Sequence, residues 1–176
     1  MKTLSLCLSL LLLSACATPE HAFESAPDQY GLYVAATNIF TNSRIVVQQE
    51  ESGKVYAIKV NHLAAGDSVG YAMASLPPGR YRLETYSPDG VTNYPITTDN
   101  GWFEVQADCF NYGGSFEFQL GDDGMPVYRN VNTLQDIAKL PHHYRSEADH
   151  RDICSATMGH PSERLKAEDV AQVLDL

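Results

Sequence analysis

Histidine and cysteine side chains that could bind a metal ion lie close together in the C-terminal part of the chain. His142, His143 and His150 precede Cys154, and His160 follows it. Neutral imidazole and thiolate are good ligands for zinc and copper, and residues four apart share one face of a helix. The spacing fits no standard metal site, so we favour solvated histidines and predict no metal and no cofactor. A pH-sensing role for these imidazoles is an alternative.

Ser68 is the second candidate for chemistry, as a nucleophile. Gly66-Asp67-Ser68-Val69-Gly70 matches G-x-S-x-G, a pattern that in hydrolases places the serine on a sharp turn between a strand and a long helix. Pro77-Pro78-Gly79 follows too soon for a long helix to form. We therefore predict a connecting loop, no catalytic residue and no enzymatic activity. An envelope hydrolase or metal-dependent enzyme that uses Ser68 or the histidines is the alternative.

The N-terminal segment has the pattern of an export signal. Lys2 supplies a positive charge, an apolar run extends from Leu4 to Leu13, and small residues follow. The run is too short to span a bilayer, which takes about 20 residues. The segment therefore predicts a secretory signal peptide.

Leu13-Ser14-Ala15-Cys16 resembles the lipobox of bacterial lipoproteins. The resemblance implies that residues 1–15 are removed and that Cys16 becomes a lipid anchor, acylated on its thiol and on its new amine. Several fatty chains hold a protein firmly, whereas one gives marginal binding. In enterobacterial lipoproteins an aspartate after the cysteine retains the protein in the inner membrane. Ala17 therefore implies the outer membrane of a Gram-negative bacterium, on its periplasmic face. An ordinary signal peptide cut near a cysteine is the alternative.

Cys109 and Cys154 are the cysteines that remain once Cys7 leaves with the signal and Cys16 carries lipid. An even pair in an oxidising compartment predicts a disulfide. In the chain-entropy model, closing a loop of this length contributes on the order of 4 kcal/mol. Two buried free thiols are the alternative.

The acidic composition limits the classes of partner. The chain of 176 residues has a formal net charge of −10, which argues against binding to nucleic acid and against lying flat on an anionic lipid surface. Its length is enough for one domain with a core, or for one domain with an appendage. We expect the lipid anchor, rather than the protein surface, to provide contact with the bilayer.

Short runs rich in aromatic and β-branched residues, separated by turn signals, dominate the middle of the chain. Several alternate between apolar residues and charged or small ones, which is typical of a sheet covered on one face. Asp89-Gly90 is one of the turn signals, and it lacks the spacing of a calcium loop. The predicted strands are Tyr30–Ala36, Arg44–Gln49, Lys54–Val60, Val69–Ser75, Arg80–Tyr86, Trp102–Gln106 and Gly114–Leu120.

The segment from Leu76 to Leu83, Leu-Pro-Pro-Gly-Arg-Tyr-Arg-Leu, resembles transthyretin-like and carboxypeptidase-regulatory-like domains. It is also similar to small bacterial lipoprotein domains of unassigned function. The resemblance covers roughly 30–120 and implies that Tyr81 lies in the core at the start of a strand. It carries no catalytic residues. The expected fold is mainly β: an antiparallel β-sandwich, Ig-like or transthyretin-like, with a small C-terminal helical appendage.

The predicted domain organisation has four parts. A signal peptide at 1–15 precedes a flexible, polar tether at 16–29, the β-sandwich at 30–131 and a helical cap at 132–176. The cap is predicted because apolar residues recur at helical spacing in Asn132–Leu140 and in Ser162–Leu174. We expect the disulfide to join the cap to the sandwich.

These features predict a lipid-anchored envelope lipoprotein that acts as a non-enzymatic interaction module in the periplasm. Its partners would be the bilayer, through acylated Cys16, and an envelope protein or the cell wall. A carbohydrate- or cell-wall-binding module is the alternative, with exposed aromatic side chains among Trp102, Tyr94 and Tyr112 as the binding surface.

Overall fold

The computed structural model describes residues 20–21, 30–38, 43–61, 70–97, 99, 101–122, 124, 126–131, 151–166, 168 and 170–171. In this part of the chain, 12 strands form one sheet, and Glu168, Val170 and Ala171 are helical. The strands are β1 (Glu20–His21), β2 (Gly31–Thr37), β3 (Arg44–Gln49), β4 (Val55–Asn61), β5 (Gly70–Leu76), β6 (Gly79–Ser87), β7 (Tyr94–Pro95), β8 (Trp102–Val105), β9 (Cys109–Leu120), β10 (Pro126–Val131), β11 (Asp152–Ser155) and β12 (Glu163–Arg164).

The sheet is a curled, open half-barrel with mixed strand directions. Its order is β12-β11-β9-β2-β5-β4-β3-β6-β7, with β1 beside β4, β10 beside β9 and β8 beside β6. The pairs β2–β9, β9–β11 and β1–β4 are parallel. β4 connects the two halves, because Val55–Lys59 pair with β3 whereas Val60 and Asn61 pair with β5.

The prediction of an antiparallel β-sandwich with a helical appendage is therefore wrong, although the mainly β composition is confirmed. The two halves form one sheet because β4 pairs with both β3 and β5, and the pairing of β2 with the distant β9 is parallel rather than antiparallel. The prediction of a helix from Ser162 is wrong at the start of that segment, because Glu163 and Arg164 form a strand that pairs with Ser155 and Cys154. The predicted helix at Asn132–Leu140 lies outside the described residues.

The concave side of the sheet holds the main core, which is rich in aromatic rings. Tyr33 stacks on Phe103 with ring centres 4.3 Å apart, and Tyr81 stacks on the same ring at 5.5 Å. The Tyr81 hydroxyl donates a hydrogen bond to the Pro77 carbonyl at 2.6 Å. Burial raises the pKa of Tyr81, which keeps this hydroxyl protonated as a donor. The expectation that Tyr81 lies in the core is confirmed.

A second apolar cluster lies on the other side of β2. It contains Leu32, Val34, Met73, Phe110, Tyr112 and Ile153, and the partly buried Tyr71, Leu165 and Val170 pack against it. β2 is consequently buried on both faces, which differs from the predicted sheet covered on one face only. Strand β3 does follow that prediction, since its side chains alternate between buried and half-buried.

The disulfide between Cys109 and Cys154 is confirmed. It joins β9 to β11 with a Cα–Cα distance of 5.9 Å across a sequence separation of 45. Both cysteines are fully buried. The bond therefore fixes β11 beside β9, at one end of the sheet.

Residues 156–162, named the clasp here, extend from β11 to β8 across the opening of the half-barrel. The Ala156 N–H donates to the Tyr112 carbonyl at 2.8 Å, and the Gly159 N–H donates to the Trp102 carbonyl at 2.7 Å. Ala156 and Met158 are buried in the main core. The clasp thus fills part of the core and also joins the two ends of the sheet.

The turn at 106–108 carries the chain from β8 to β9. Asn111, which is fully buried, accepts from the Gln106 N–H at 2.8 Å and donates to the Gln106 and Cys109 carbonyls at 3.0 Å each. Asp108 has a φ of 55°, a conformation that aspartate tolerates better than most residues. Gly31 packs directly against this turn, because a Cβ there would overlap the Gln106 carbonyl oxygen.

Asp89 organises the turn that follows β6. Its carboxylate accepts hydrogen bonds from the Val91 N–H at 2.8 Å, the Thr92 N–H at 2.7 Å and the Thr92 hydroxyl at 2.8 Å. The backbone bond from Val91, then those from Thr92, lower the pKa of Asp89 from 3.8 to about 2. The turn chemistry predicted for Asp89-Gly90 is confirmed.

We expect Asp89 to make stability dependent on pH in strong acid. Its pKa is lower in the folded chain than in the unfolded one, so the unfolded chain binds more protons between about pH 4 and 2, and stability falls as the pH falls through this range. NMR titration of the Asp89 carboxyl should give a midpoint near 2. Asp89→Asn should show a shallower loss of stability over the same range, and an unchanged slope would contradict the assignment.

Candidate binding groove

An open groove of about 530 Å³ lies between the β3–β4 turn (residues 50–54) and strands β6 and β8. Its lining is mostly polar and carries more carboxylates than cations. The lining residues are Glu50, Glu51, Gly79, Arg80, Glu104, Val105 and Gln106. The three segments meet here because β6 pairs with β3 on one side and with β8 on the other.

Arg80 is the central cation of the groove, and its position is fixed by three neighbours. Its guanidinium carbon lies 3.9 Å from the centre of the Trp102 ring, a cation–π contact. Its Nη2 and Nε lie 3.2 and 3.3 Å from Glu104 Oε1, and its Nε lies 3.9 Å from Glu50. The charge of Arg80 is thus balanced by the groove's own carboxylates.

Glu104 and Gln106 are held in place by the clasp. The Ser162 N–H donates to Glu104 Oε2 at 3.0 Å, and Gln106 Nε2 donates to the Ser162 carbonyl at 2.8 Å. Both bonds use the backbone of one clasp residue, so the side chains on this wall have little rotational freedom. A ligand would therefore meet polar groups that are already ordered, which lowers the entropy cost of binding.

Gly79 forms the floor of the groove and has no space for a side chain. Its φ is 139°, in the region that favours glycine, and a Cβ would lie 2.6 Å from Glu51 Oε2 and 2.9 Å from Gln49 Nε2. Glu51 extends over this floor and has no ion pair with another described residue. Its carboxylate is therefore available to a hydrogen-bond donor or a cation from a partner.

The predicted site residues do not come together in the groove. Cys16, Ser68, His142, His143 and His150 lie outside the described residues. Cys154 is in the disulfide and cannot act as a thiolate ligand, while His160 is exposed. Where the structure describes the chain, no three His, Cys, Asp or Glu side chains are grouped to hold a metal ion. No helix among the described residues is long and apolar enough to cross a membrane.

The aromatic residues considered for carbohydrate binding are mostly covered. Arg80 lies over one face of Trp102, Tyr112 is fully buried, and Tyr94 is half-buried. The groove instead depends on Arg80 and Glu104, which lie in the strands predicted at Arg80–Tyr86 and Trp102–Gln106 and had no assigned role. Their alternation with apolar neighbours was visible, but the pairing of β6 with β8 that puts Arg80 opposite Glu104 was not.

Trp102 should report directly on the groove, since it is the sole tryptophan. Arg80→Ala removes the guanidinium from its ring, and we expect a red shift of its emission as water replaces the side chain. Stability should fall by about 1 kcal/mol or less, because exposed ion pairs contribute little. Arg164→Ala is the control, since it removes a similar surface pair between Arg164 on β12 and Asp152 on β11. Equal emission spectra for both variants would contradict the stacking.

Comparison with known proteins provides no family assignment. No protein-family profile and no curated protein matches the chain. A solved leucine-rich repeat protein from Bacteroides thetaiotaomicron aligns with 66% of this chain and 16% of its own, at 14% identity and a TM-score of 0.33. The aligned region is thus a small part of that protein. A similarity this low is evidence for neither a shared fold nor a shared function.

Proposed function

We propose that the chain is a lipid-anchored lipoprotein of the outer membrane, facing the periplasm, and that it acts as a non-enzymatic interaction module. The observation that carries the proposal is the segment Leu13-Ser14-Ala15-Cys16 after a short apolar run. Ala17 at the next position favours the outer membrane. The Cys109–Cys154 disulfide supports export, because such bonds persist in oxidising compartments and are rare in the cytosol.

The groove is the surface that we assign to the partner. Its Arg80–Glu104–Glu50 network is internally paired and ordered, which suits recognition of a partner better than proton transfer. Its open form suits a protein segment or a wall polymer that lies across it. The net charge of −10 favours a partner that offers cations or hydrogen-bond donors.

Acylation of Cys16 provides the first test. Mass spectrometry of the mature protein from membranes should show a chain that begins at Cys16 and carries acyl mass. Cys16→Ser should lack this mass and should leave the membrane fraction. A mature chain that begins at another residue, or that has no acyl group, would overturn the proposal.

The interaction role needs a second test. A photo-crosslinking residue at Glu51 should capture an envelope protein or a wall fragment, whereas one at Val127, which is 58% exposed on β10, should not. Equal capture at both positions would show that the groove is not the binding surface.

A further inference from the structure

We propose that one corner of the sheet faces the lipid leaflet that holds Cys16. This corner, named the anchor corner here, consists of β1 and the β3–β4 turn. The inference rests on the acylation of Cys16 proposed above, and it adds an orientation for the body of the protein.

The position of β1 provides the main argument. Glu20 and His21 pair in parallel with Tyr56 and Ala57 of β4. Because the strands are parallel, the chain enters β1 from the side on which β4 begins. That side is occupied by the β3–β4 turn, which leads into β4 at Val55. The direction of β1 thus favours an anchor on the side of this turn over one at the far end of β4.

Chain length limits how far the anchor can lie from this corner. Cys16 precedes Glu20 by four residues, and an extended chain spans at most about 3.6 Å per residue, or about 14 Å in total. Paired strands lie about 4.8 Å apart. The lipid-bearing residue is therefore within about 20 Å of Tyr56 whatever conformation residues 16–19 adopt.

The β3–β4 turn is ordered enough to keep a fixed place relative to the sheet. The Gln49 N–H donates to the Lys54 carbonyl at 2.9 Å, and the Gly53 N–H donates to the Gln49 carbonyl at 2.8 Å. The Ser52 hydroxyl donates to Gln49 Oε1 at 2.6 Å. A restraint on β1 consequently also restrains this turn.

The opposite end of the same strands is correspondingly distant from the lipid. β3 runs from Arg44, which pairs with Ser87, to Gln49, which pairs with Tyr81. Its length of 6 residues places the Asp89 turn about 17 Å further from the anchor corner. Val91 in that turn is 80% exposed and marks the end that faces away from the leaflet.

Charge indicates that the corner stands near the leaflet without adhering to it. Glu50 and Glu51 lie in the turn, and the whole chain has a net charge of −10, so anionic headgroups would repel it. Since Glu50 and Glu51 also line the groove, the groove opens close to the membrane surface. Its partner should then be a molecule held at that surface.

Fluorescence quenching tests this orientation. In the mature chain the other cysteines are acylated or disulfide-bonded, so a thiol-reactive fluorophore can be placed at Lys54→Cys or at the control Val91→Cys. The acylated proteins are reconstituted in phosphatidylcholine vesicles that contain a lipid with a quencher on its headgroup. We expect severalfold stronger quenching at position 54 than at position 91.

Two contrary results are distinguishable. If mass spectrometry shows acylated Cys16 and quenching is equal at both positions, or stronger at position 91, the orientation is overturned and the lipid anchor stands. If the protein carries no acyl group, both the anchor and the orientation are overturned.

Discussion

Replacing both Cys109 and Cys154 with alanine should lower the free energy of unfolding by about 4 kcal/mol. The disulfide closes a loop between two cysteines that are 45 positions apart. In the chain-entropy model its loss raises the conformational entropy of the unfolded chain, which corresponds to about 4 kcal/mol. Urea denaturation followed by Trp102 emission measures the change. The dependence on urea should also become steeper, because an unfolded chain without the crosslink exposes more surface.

The location of this disulfide makes its loss more serious than a surface crosslink would be. Cys154 lies two residues before Ala156, and Ala156 and Met158 of the clasp are buried in the main core. Release of β11 would therefore expose core residues and free Ser162 from Glu104 and Gln106. We expect the groove to become less ordered together with the loss of stability.

Reduction of the wild-type protein provides the matched control. Wild type in reductant should unfold at the urea concentration of the double alanine variant, and the variant should not respond to reductant. A double variant that unfolds at the midpoint of oxidised wild type would show that the disulfide adds no stability.

Gly31→Ala should destabilise the protein by about 3 kcal/mol or more, the upper range for an overfilled core. A Cβ at Gly31 would overlap the Gln106 carbonyl oxygen and lie 2.5 Å from both Asn111 Nδ2 and Val105 Cγ1. The Gln106 carbonyl also accepts the Asn111 hydrogen bond, so it cannot move without breaking that bond. Urea denaturation with the disulfide intact gives the magnitude.

Gly124→Ala separates this steric effect from the general cost of replacing glycine. Gly124 has a φ of 74° and no atom within 4 Å of a Cβ, so alanine there meets backbone strain alone, on the order of 1 kcal/mol. Gly31, in contrast, has no positive φ. Equal losses for the two variants would contradict the close approach of β2 to the turn at 106–108.

Sequence patterns located most strands because each run carries its own signal. Arg44–Gln49 was predicted with the observed limits, and Lys54–Val60 and Arg80–Tyr86 differ from β4 and β6 by one residue at each end. Alternation of side chains and turn signals such as Asp89-Gly90 depend on local chemistry. Such features are readable without knowing the partner of a strand.

The pairing of the strands, in contrast, could not be predicted from local sequence patterns. The parallel pairing of β2 with β9 joins residues far apart in sequence, and no local pattern specifies it. Leu165 and Val170 of the predicted helix do pack on the second apolar cluster, yet Glu163 and Arg164 form a strand. Pairing with β11 overrides the local preference of that segment.

The candidate groove shows the same limit. The disulfide followed from counting cysteines, which needs no knowledge of topology. Arg80 and Glu104 become neighbours only through the register of β6 and β8, so their role could not be assigned from their separate positions. The lipid anchor remains a prediction from its own short motif.

The clasp also sets the order in which the protein can mature during synthesis. Arg151, just before β11, donates to the Tyr30 carbonyl across 121 positions, and the core is complete only after Met158 has joined it. The early strands of a nascent chain therefore cannot complete the core until these later residues have been synthesised. Chains with such long-range contacts fold slowly, so if the chain is exported as proposed, a translocation channel would have time to thread the polypeptide before it becomes compact.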